Sequence, residues 1–282
     1  KKTKAAESII RPDIQFLPEG GHMVNGMMNR IGIRSLGSNQ KIIKISGELL
    51  TGEGKMVSKF STAHNGMGLL YLMPVEGETY TARITFQGMT YTYNLPQALE
   101  KGIVMQVDEL TDVFRIGVFT NFESGFENMR LEGSQRNDKV CEVQLTDGKN
   151  NMRIDIPKDA LNEGIVQFTI YDAMNDIHSE RLVYNEITTA LPEIEINLNQ
   201  VLETNKVANI DLGIKRATDA RISMAITDAS LDNARENGMD IRSYLLINSE
   251  LQGGIEDSGY YFNTNNPKRK QHLDLLMMTQ GW

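Results

Sequence analysis

A single cysteine, Cys141, occurs in the 282 residues. An internal disulfide and any zinc site built from several thiolates are thereby excluded. Exported proteins can also lack disulfides, so the compartment stays open on this ground. Basic charge is short as well: 29 Lys and Arg stand against 37 Asp and Glu, a formal charge of -8. A chain of that sign repels phosphate backbones unless its cations gather on one face, and the only dense basic run is Lys268-Arg269-Lys270. Nucleic acid is therefore not an expected partner. No apolar run approaches the roughly 18 residues of a membrane span, so membrane insertion by this segment is not expected. The Lys1-Lys2 start lacks the apolar stretch of a signal peptide, and Trp282 stops directly after an apolar helical pattern. Both ends read as cut from a longer chain.

What is present is an ordinary globular balance, 40% apolar and 23% charged, enough for several modest cores. The length suits two or three sandwiches of about 100 residues each. In the first third, short strands are predicted at 14–17, 30–35, 41–50, 68–73, 78–86 and 89–93. A Pro-Glu-Gly-Gly turn at 18–21 and a Gly-Glu-Gly turn at 52–54 separate some of them, and Gln87-Gly88 suits a tight turn. Alternation is clearest at Tyr80, Ala82, Ile84 and Phe86, which share one face of a strand and so point to a core.

Leu95-Pro96 marks a boundary, because proline denies the ladder a donor. Strands are predicted again at 103–107, 113–120, 140–146, 152–156, 164–171 and 177–184, with turn chemistry at Asp147-Gly148 and Asn175-Asp176. With no long helical pattern between them, this spacing favours antiparallel sandwiches over a parallel α/β sheet. After Leu191-Pro192, strands are predicted at 193–198, 206–214 and 221–227. The character then changes. Ile241, Tyr244, Leu245 and Leu251 have partly helical spacing, ended by Gly253-Gly254, and 268–280 places Leu273, Leu276 and Met277 on one face. The fold class expected is mainly all-β: tandem immunoglobulin-like, macroglobulin-type antiparallel β-sandwiches at 1–95 and 96–190, then an incomplete β domain at 191–282 with two short helices in the C-terminal third.

The stretches DIQFLPEGGHMVNG, GMGLLYLMPVEGETYTARI and YNLPQAL resemble a macroglobulin-type domain of the α-2-macroglobulin superfamily, and more specifically the large secreted or outer-membrane-associated proteins of Bacteroidetes that string such domains together. The stretch IDIPKDALNEGIVQFTIYDAMNDIHSERLVYNE resembles their next domain, whose closing strand ends in a Glu-Arg-Leu-Val pattern, here 180–183. RISMAITDASLDNA, IRSYLLINSELQGGIEDSGYYF and LDLLMMTQGW look like the segment that precedes further domains, in some chains a TonB-receptor-like plug. The resemblance implies a domain array in an extracytoplasmic setting, the periplasm or outer membrane of a Gram-negative bacterium, and implies architecture more than activity.

Val140-Cys141-Glu142-Val143-Gln144 sets glutamine three residues after cysteine, the interval of the superfamily's internal thioester motif GCGEQ. Val140 and Val143 break that motif, and the run alternates like a strand, so Cys141 reads as a packed, inert thiol and not a thioester. His22, His64, His178 and His272 lie far apart in sequence with no metal spacing, and no triad can be assembled around them. The acidic stretches 147–151 and 256–257 lack the alternating oxygen ligands of a calcium loop. The glycines at 20–21 and 52–54 precede no lysine-serine or helix start, so they serve turns and not phosphate. No cofactor, metal or catalytic residue is assigned.

The candidate ligand-binding residues are Tyr260, Tyr261 and Phe262, since exposed rings hold sugars or partner chains on many sandwiches; burial against the terminal helices is the competing arrangement. The 15 methionines, Met277 and Met278 among them, suit irregular core gaps or a docking face. The function expected is a non-enzymatic structural or interaction segment of a larger cell-envelope protein. Its expected partners are other domains of the parent chain, and protein or glycan. The rivals are a glycan- or peptide-binding module and a portion of a protease-capturing macroglobulin, for which neither bait region nor thioester is found.

Overall fold

The computed structural model describes residues 11–37, 39–146, 148–187, 193–198, 207, 209–215, 222, 224 and 238–280. Apart from Ile222 and Met224, the strand expected at 221–227 lies outside the described residues, as do the boundary at Leu191-Pro192 and Asp147 of the Asp-Gly turn. The fold is mainly antiparallel β, in sandwich layers, with two short helices toward the C-terminus. It falls into two compact units, one of residues 1–186 with 235–282, the other of 187–234.

The larger unit begins with seven strands: β1 (Asp13–Pro18), β2 (Asn29–Leu36), β3 (Ser46–Thr51), β4 (Met56–His64), β5 (Met67–Leu72), β6 (Tyr80–Phe86) and β7 (Met89–Asn94). They hydrogen-bond in the order β1-β2-β5-β4-β3-β6-β7. β4 serves both halves, pairing with β3 along its first part and with β5 only at Thr62 and His64, across a register shift. A bulge of this kind turns a sheet corner. The two halves enclose a core of Ile14, Phe16, Ile31, Ile33, Leu49, Phe60, Leu70, Leu72, Tyr80, Ala82, Ile84 and their neighbours. Tyr80, Ala82 and Ile84 face inward as their alternation requires, while Phe86, at the strand end, is half-buried. Gln87 and Gly88 both have positive φ, 50° and 80°, the geometry of a two-residue hairpin turn.

The second sandwich sets β11 (Asp138–Gln144), β10 (Arg130–Gln135), β13 (Gly164–Tyr171) and β14 (Ile177–Asn185) in one sheet. β12 (Asn151–Pro157), β9 (Val113–Thr120) and β8 (Ile103–Glu109) form the other. Between them lies a core running from Ile103 to Val183, centred on Phe114, Phe126 and Phe168.

Two strands were not legible by alternation. β4 buries only Phe60, so it carries no apolar rhythm. β10 alternates in burial, but its inward positions are Leu131, Gly133 and Gln135, of which only one is apolar. Gly133 is small because a Cβ there would lie 2.5 Å from Cys141 Sγ and 3.1 Å from the Phe168 ring.

Residues 191–282 do not make one domain, as the sequence reading expected. β15 (Glu193–Leu198) and β16 (Ile210–Lys215) form a two-stranded ribbon in the smaller unit, pairing Ile194 with Ile214 and Ile196 with Leu212. The helical part belongs to the larger unit. α1 (Ile241–Ser243) starts on an Asp240–Ser243 capping box and continues as a π-type turn over Tyr244–Asn248. A one-turn helix of mixed geometry departs from the 3.6-residue spacing, so Ile241, Tyr244 and Leu245 face solvent and Ser243, Ile247 and Leu251 face inward. α2 (Arg269–Thr279) buries Leu273, Leu276 and Met277 as expected, and also His272, Leu275 and Met278. Its last turns, 275–279, are buried on every side because they are covered by β14 of the second sandwich and by β2 and β5 of the first, while its polar start, 269–271, stays at the surface. Gly32 of β2 permits this approach: a Cβ would meet Thr279 at 3.0 Å and Met278 at 3.2 Å. Among the described residues, no helix is long and apolar enough to cross a membrane.

Candidate functional site at the junction of the sandwiches

The polar residues that converge most tightly sit where the two sandwiches and α2 meet. Pro18 ends β1, and the chain turns through Gly20 and Gly21 at φ 85° and 104°. This turn presents Glu19 inward and lays the Gly20 carbonyl against β14, where it accepts from Ser179 Oγ at 3.2 Å and the Glu180 amide at 3.3 Å. Glu19 is 3% exposed and Arg181 1%. Arg181 Nε donates to Glu19 Oε1 at 2.9 Å, and its Nη2 to Asp274 of α2 at 2.5 Å. A third donation goes to the Leu182 carbonyl. Glu19 Oε1 also accepts the Val107 amide at 3.1 Å, while Oε2 has only Arg30, 3.7 Å away, which is itself paired with Asp108 at 2.8 Å. One guanidinium thus ties the opening turn of the first sandwich, the closing strand of the second and the C-terminal helix.

Electrostatics makes Glu19 the stressed member. Burial pushes its carboxyl above the ordinary range, against the lowering effects of Arg181, Arg30 and the Val107 amide. For Arg181 burial works toward a lower pKa, and Asp274 and Glu19 together outweigh it, so the guanidinium stays charged. A buried pair of this kind adds little net stability, because desolvation nearly cancels attraction, but removing one partner strands the other.

Beside this network lies a third apolar cluster. Met67 of the first sandwich, Ile165 and Tyr184 of the second, and Ile247, Leu251, Tyr261, Leu273, Leu275, Leu276 and Met277 of the C-terminal segment bury one another. Salt links frame it: Arg242 with Glu163 at 2.6 Å and Arg269 with Glu186 at 2.8 Å. The rings expected to form a ligand platform are part of this packing. Tyr261 is 1% exposed, Phe262 meets Tyr184 edge-on at 5.8 Å, and Tyr260 stacks on His64 at 4.2 Å. Tyr261 is thereby closed to solvent, while Tyr260 and Phe262, half-buried, pack into the seam between a returning segment and the sheets.

The histidines, scattered in sequence, come together in space. His64 and His272 stack with centroids 4.3 Å apart and rings 5° from parallel, and Tyr260 Oη lies 2.6 Å from His272 Nδ1. Burial lowers the pKa of both, that of His64 to about 4. His22 is lowered by burial and by the charge of His178, which itself lies 3.2 Å from Asp172. Neither pairing could be found from spacing, since each joins elements distant along the chain.

Cys141 sits on the edge strand β11 opposite Gly133, half-buried, and burial pushes its thiol up. Gln144 bonds its neighbour Glu142 at 3.0 Å and not the thiol. Among the described residues no group of three His, Cys, Asp or Glu is placed to hold a metal. Two grooves flank the C-terminal segment. One, of about 440 Å³, runs over Gln167, Glu180 and Leu182 to Gln252 and Gln280, and the other, of about 330 Å³, over Arg34, Ile42 and Met67 to Tyr261. Neither is lined by histidine or cysteine.

No protein-family model matches the chain. No curated protein sequence matches it either. Among solved structures, one match is to a "Biofilm associated protein - BSP domain", 15% identical, with a TM-score of 0.27, covering 62% of this chain and 30% of that one.

Proposed function

We propose that the chain is a non-enzymatic structural and interaction segment of a larger cell-envelope protein, in which two macroglobulin-type sandwiches are held as one body by a C-terminal clasp, residues 238–280. The observation that carries this reading is the buried Glu19–Arg181–Asp274 network. Its members come from the Pro-Glu-Gly-Gly turn, the Glu-Arg-Leu-Val strand and α2, the stretches by which the sequence resembles the macroglobulin superfamily. Spending the most costly buried charges of the molecule on a joint suits a part whose task is to keep neighbouring domains in fixed relation. The partners that fit are further domains of the parent chain and a protein or glycan met at the bacterial surface or in the periplasm.

Two measurements on the purified 282-residue chain test this. Panels of peptide, ester and glycan substrates should show no turnover, and enzyme-like hydrolysis abolished by one substitution would overturn the reading. Calorimetry should show both sandwiches melting together, and Arg181→Met should separate them. Independent melting of the sandwiches in the unaltered chain would remove the clasp.

A further inference from the structure

The clasp meets the first sandwich through the imidazole pair. His64 closes β4 just beyond its bulge, and its ring stacks at 4.2 and 4.3 Å on Tyr260 and His272, which lie side by side with centroids 5.7 Å apart, while the edge of Tyr261 approaches at 5.7 Å. Its Nε2 is buried and has no hydrogen-bond partner among the described residues. A neutral imidazole tolerates this, since one nitrogen needs no donor. An imidazolium carries a proton on both nitrogens, and the buried one would donate to nothing.

The surrounding charges do not relieve it. Lys44, ahead of β3, and Asp257, ahead of the 3-10 turn Ser258–Phe262, act on His64 with opposite sign. Lys268, one turn before His272, adds positive charge beside the second ring. One carboxylate therefore faces two ammonium groups and a stacked second imidazole, and Tyr260 and Tyr261 are uncharged. Two cationic rings held parallel at 4.3 Å repel strongly.

We propose that the stacked His64–His272 pair makes residues 238–280 an acid-released clasp, shut while both rings are neutral and opened when they take up protons. Opening separates Tyr260 and His272 from β4, parts Asp274 from Arg181, and uncovers Met67, Ile165 and Tyr184. The sign follows from linkage. A histidine whose pKa is depressed when docked costs nothing above about pH 6.5, where both states are neutral; as pH falls below that value the undocked state takes protons first. For His64 the effect grows until the pH nears about 4, where the docked ring also protonates.

The proposal rests on the clasp reading, and hydrogen exchange on the full chain separates the two. At about pH 7.5 amides of 269–279 should be protected along with those of 164–171; at about pH 5, after correction for intrinsic rates, protection of 269–279 should fall about tenfold or more while 164–171 holds. His64→Phe, which keeps a stacking ring that cannot titrate, should flatten that dependence. His272→Gln, which keeps an acceptor for Tyr260, should do so as well and serves if the first variant does not fold. Proton NMR of the unaltered chain should give His64 a midpoint well below the ordinary histidine range. Acid release is overturned if 269–279 stays protected at the lower pH, if both variants keep the dependence of the unaltered chain, or if His64 titrates normally while α2 stays protected. An α2 that exchanges freely at neutral pH overturns the clasp itself.

Discussion

At the scale of single residues, the junction is built from groups that are costly alone and tolerable together. Arg181→Met leaves Glu19 buried without its main counterion and is expected to cost about 3–5 kcal/mol. Adding Glu19→Gln, which keeps an acceptor for the Val107 amide but removes the stranded charge, is expected to recover most of it. A double-mutant cycle by chemical denaturation checks this; a double variant as unstable as the single one would assign the loss to packing. Gly20 carries a different constraint. Its φ of 85° is costly for any residue with a Cβ, and that atom would sit 2.3 Å from Ser179 Oγ. Gly20→Ala should therefore destabilise by roughly 1–2 kcal/mol or more, and Ser179→Ala in the same chain should return only the steric part. Cys141 should react with thiol reagents more slowly in the folded chain than in denaturant, because burial disfavours its thiolate. Equal rates would contradict its placement.

At the scale of elements, α2 is the piece whose loss the rest would feel most. It supplies Leu273, Leu275, Leu276 and Met277 to a cluster that neither sandwich can close by itself. Leu276, 1% exposed, is expected to cost about 2–5 kcal/mol on truncation to alanine. Exchange should rise in 269–279 and at Met67 and Tyr184 more than in the centres of the two sandwich cores. A uniform loss across all strands would show that the three clusters are not separable. Most strands and the glycine-marked hairpins at 52–54 and 87–88 were readable from alternation and turn residues, whereas the Asn65-Gly66 turn between β4 and β5 went with the unread β4. β4 and β10 were not, because a strand is visible in sequence only when several alternate positions are buried and apolar: β4 buries Phe60 alone, and two of the three buried positions of β10 are glycine and glutamine. The turn that joins β10 to β11 hides too, for Arg136 and Asn137 take φ of 50° and 70° without any glycine. In α1 the apolar spacing suggested the wrong face, since the capping box and the π-type turn set its register.

At the scale of the whole molecule, acid should weaken the larger unit. His22, His64 and His272 have lowered pKa values, so below about pH 6.5 the unfolded chain takes up their protons first and folding becomes less favourable; Glu186 and Asp172, held below theirs, add a further loss only below about pH 4.5. Glu19, raised by burial, works in the opposite direction. Urea midpoints should decline from about pH 7 toward about pH 5, and a rise over that range would mean that Glu19 dominates. Alternation, glycine and proline placement and composition determined by themselves that this chain is mainly antiparallel β, that it has at least two cores, and that helices come late. Those signals are local, with periods of two or about four residues, and any strand or short helix writes them. Only the tertiary structure decided that 235–282 returns to the first 186 residues, that the Tyr260–Phe262 rings fill a seam, that distant histidines stack, and that Glu19 meets Arg181 across 162 positions of chain. Such pairings leave no periodic trace, because what selects them is the cost of burying a charge or ring without its partner.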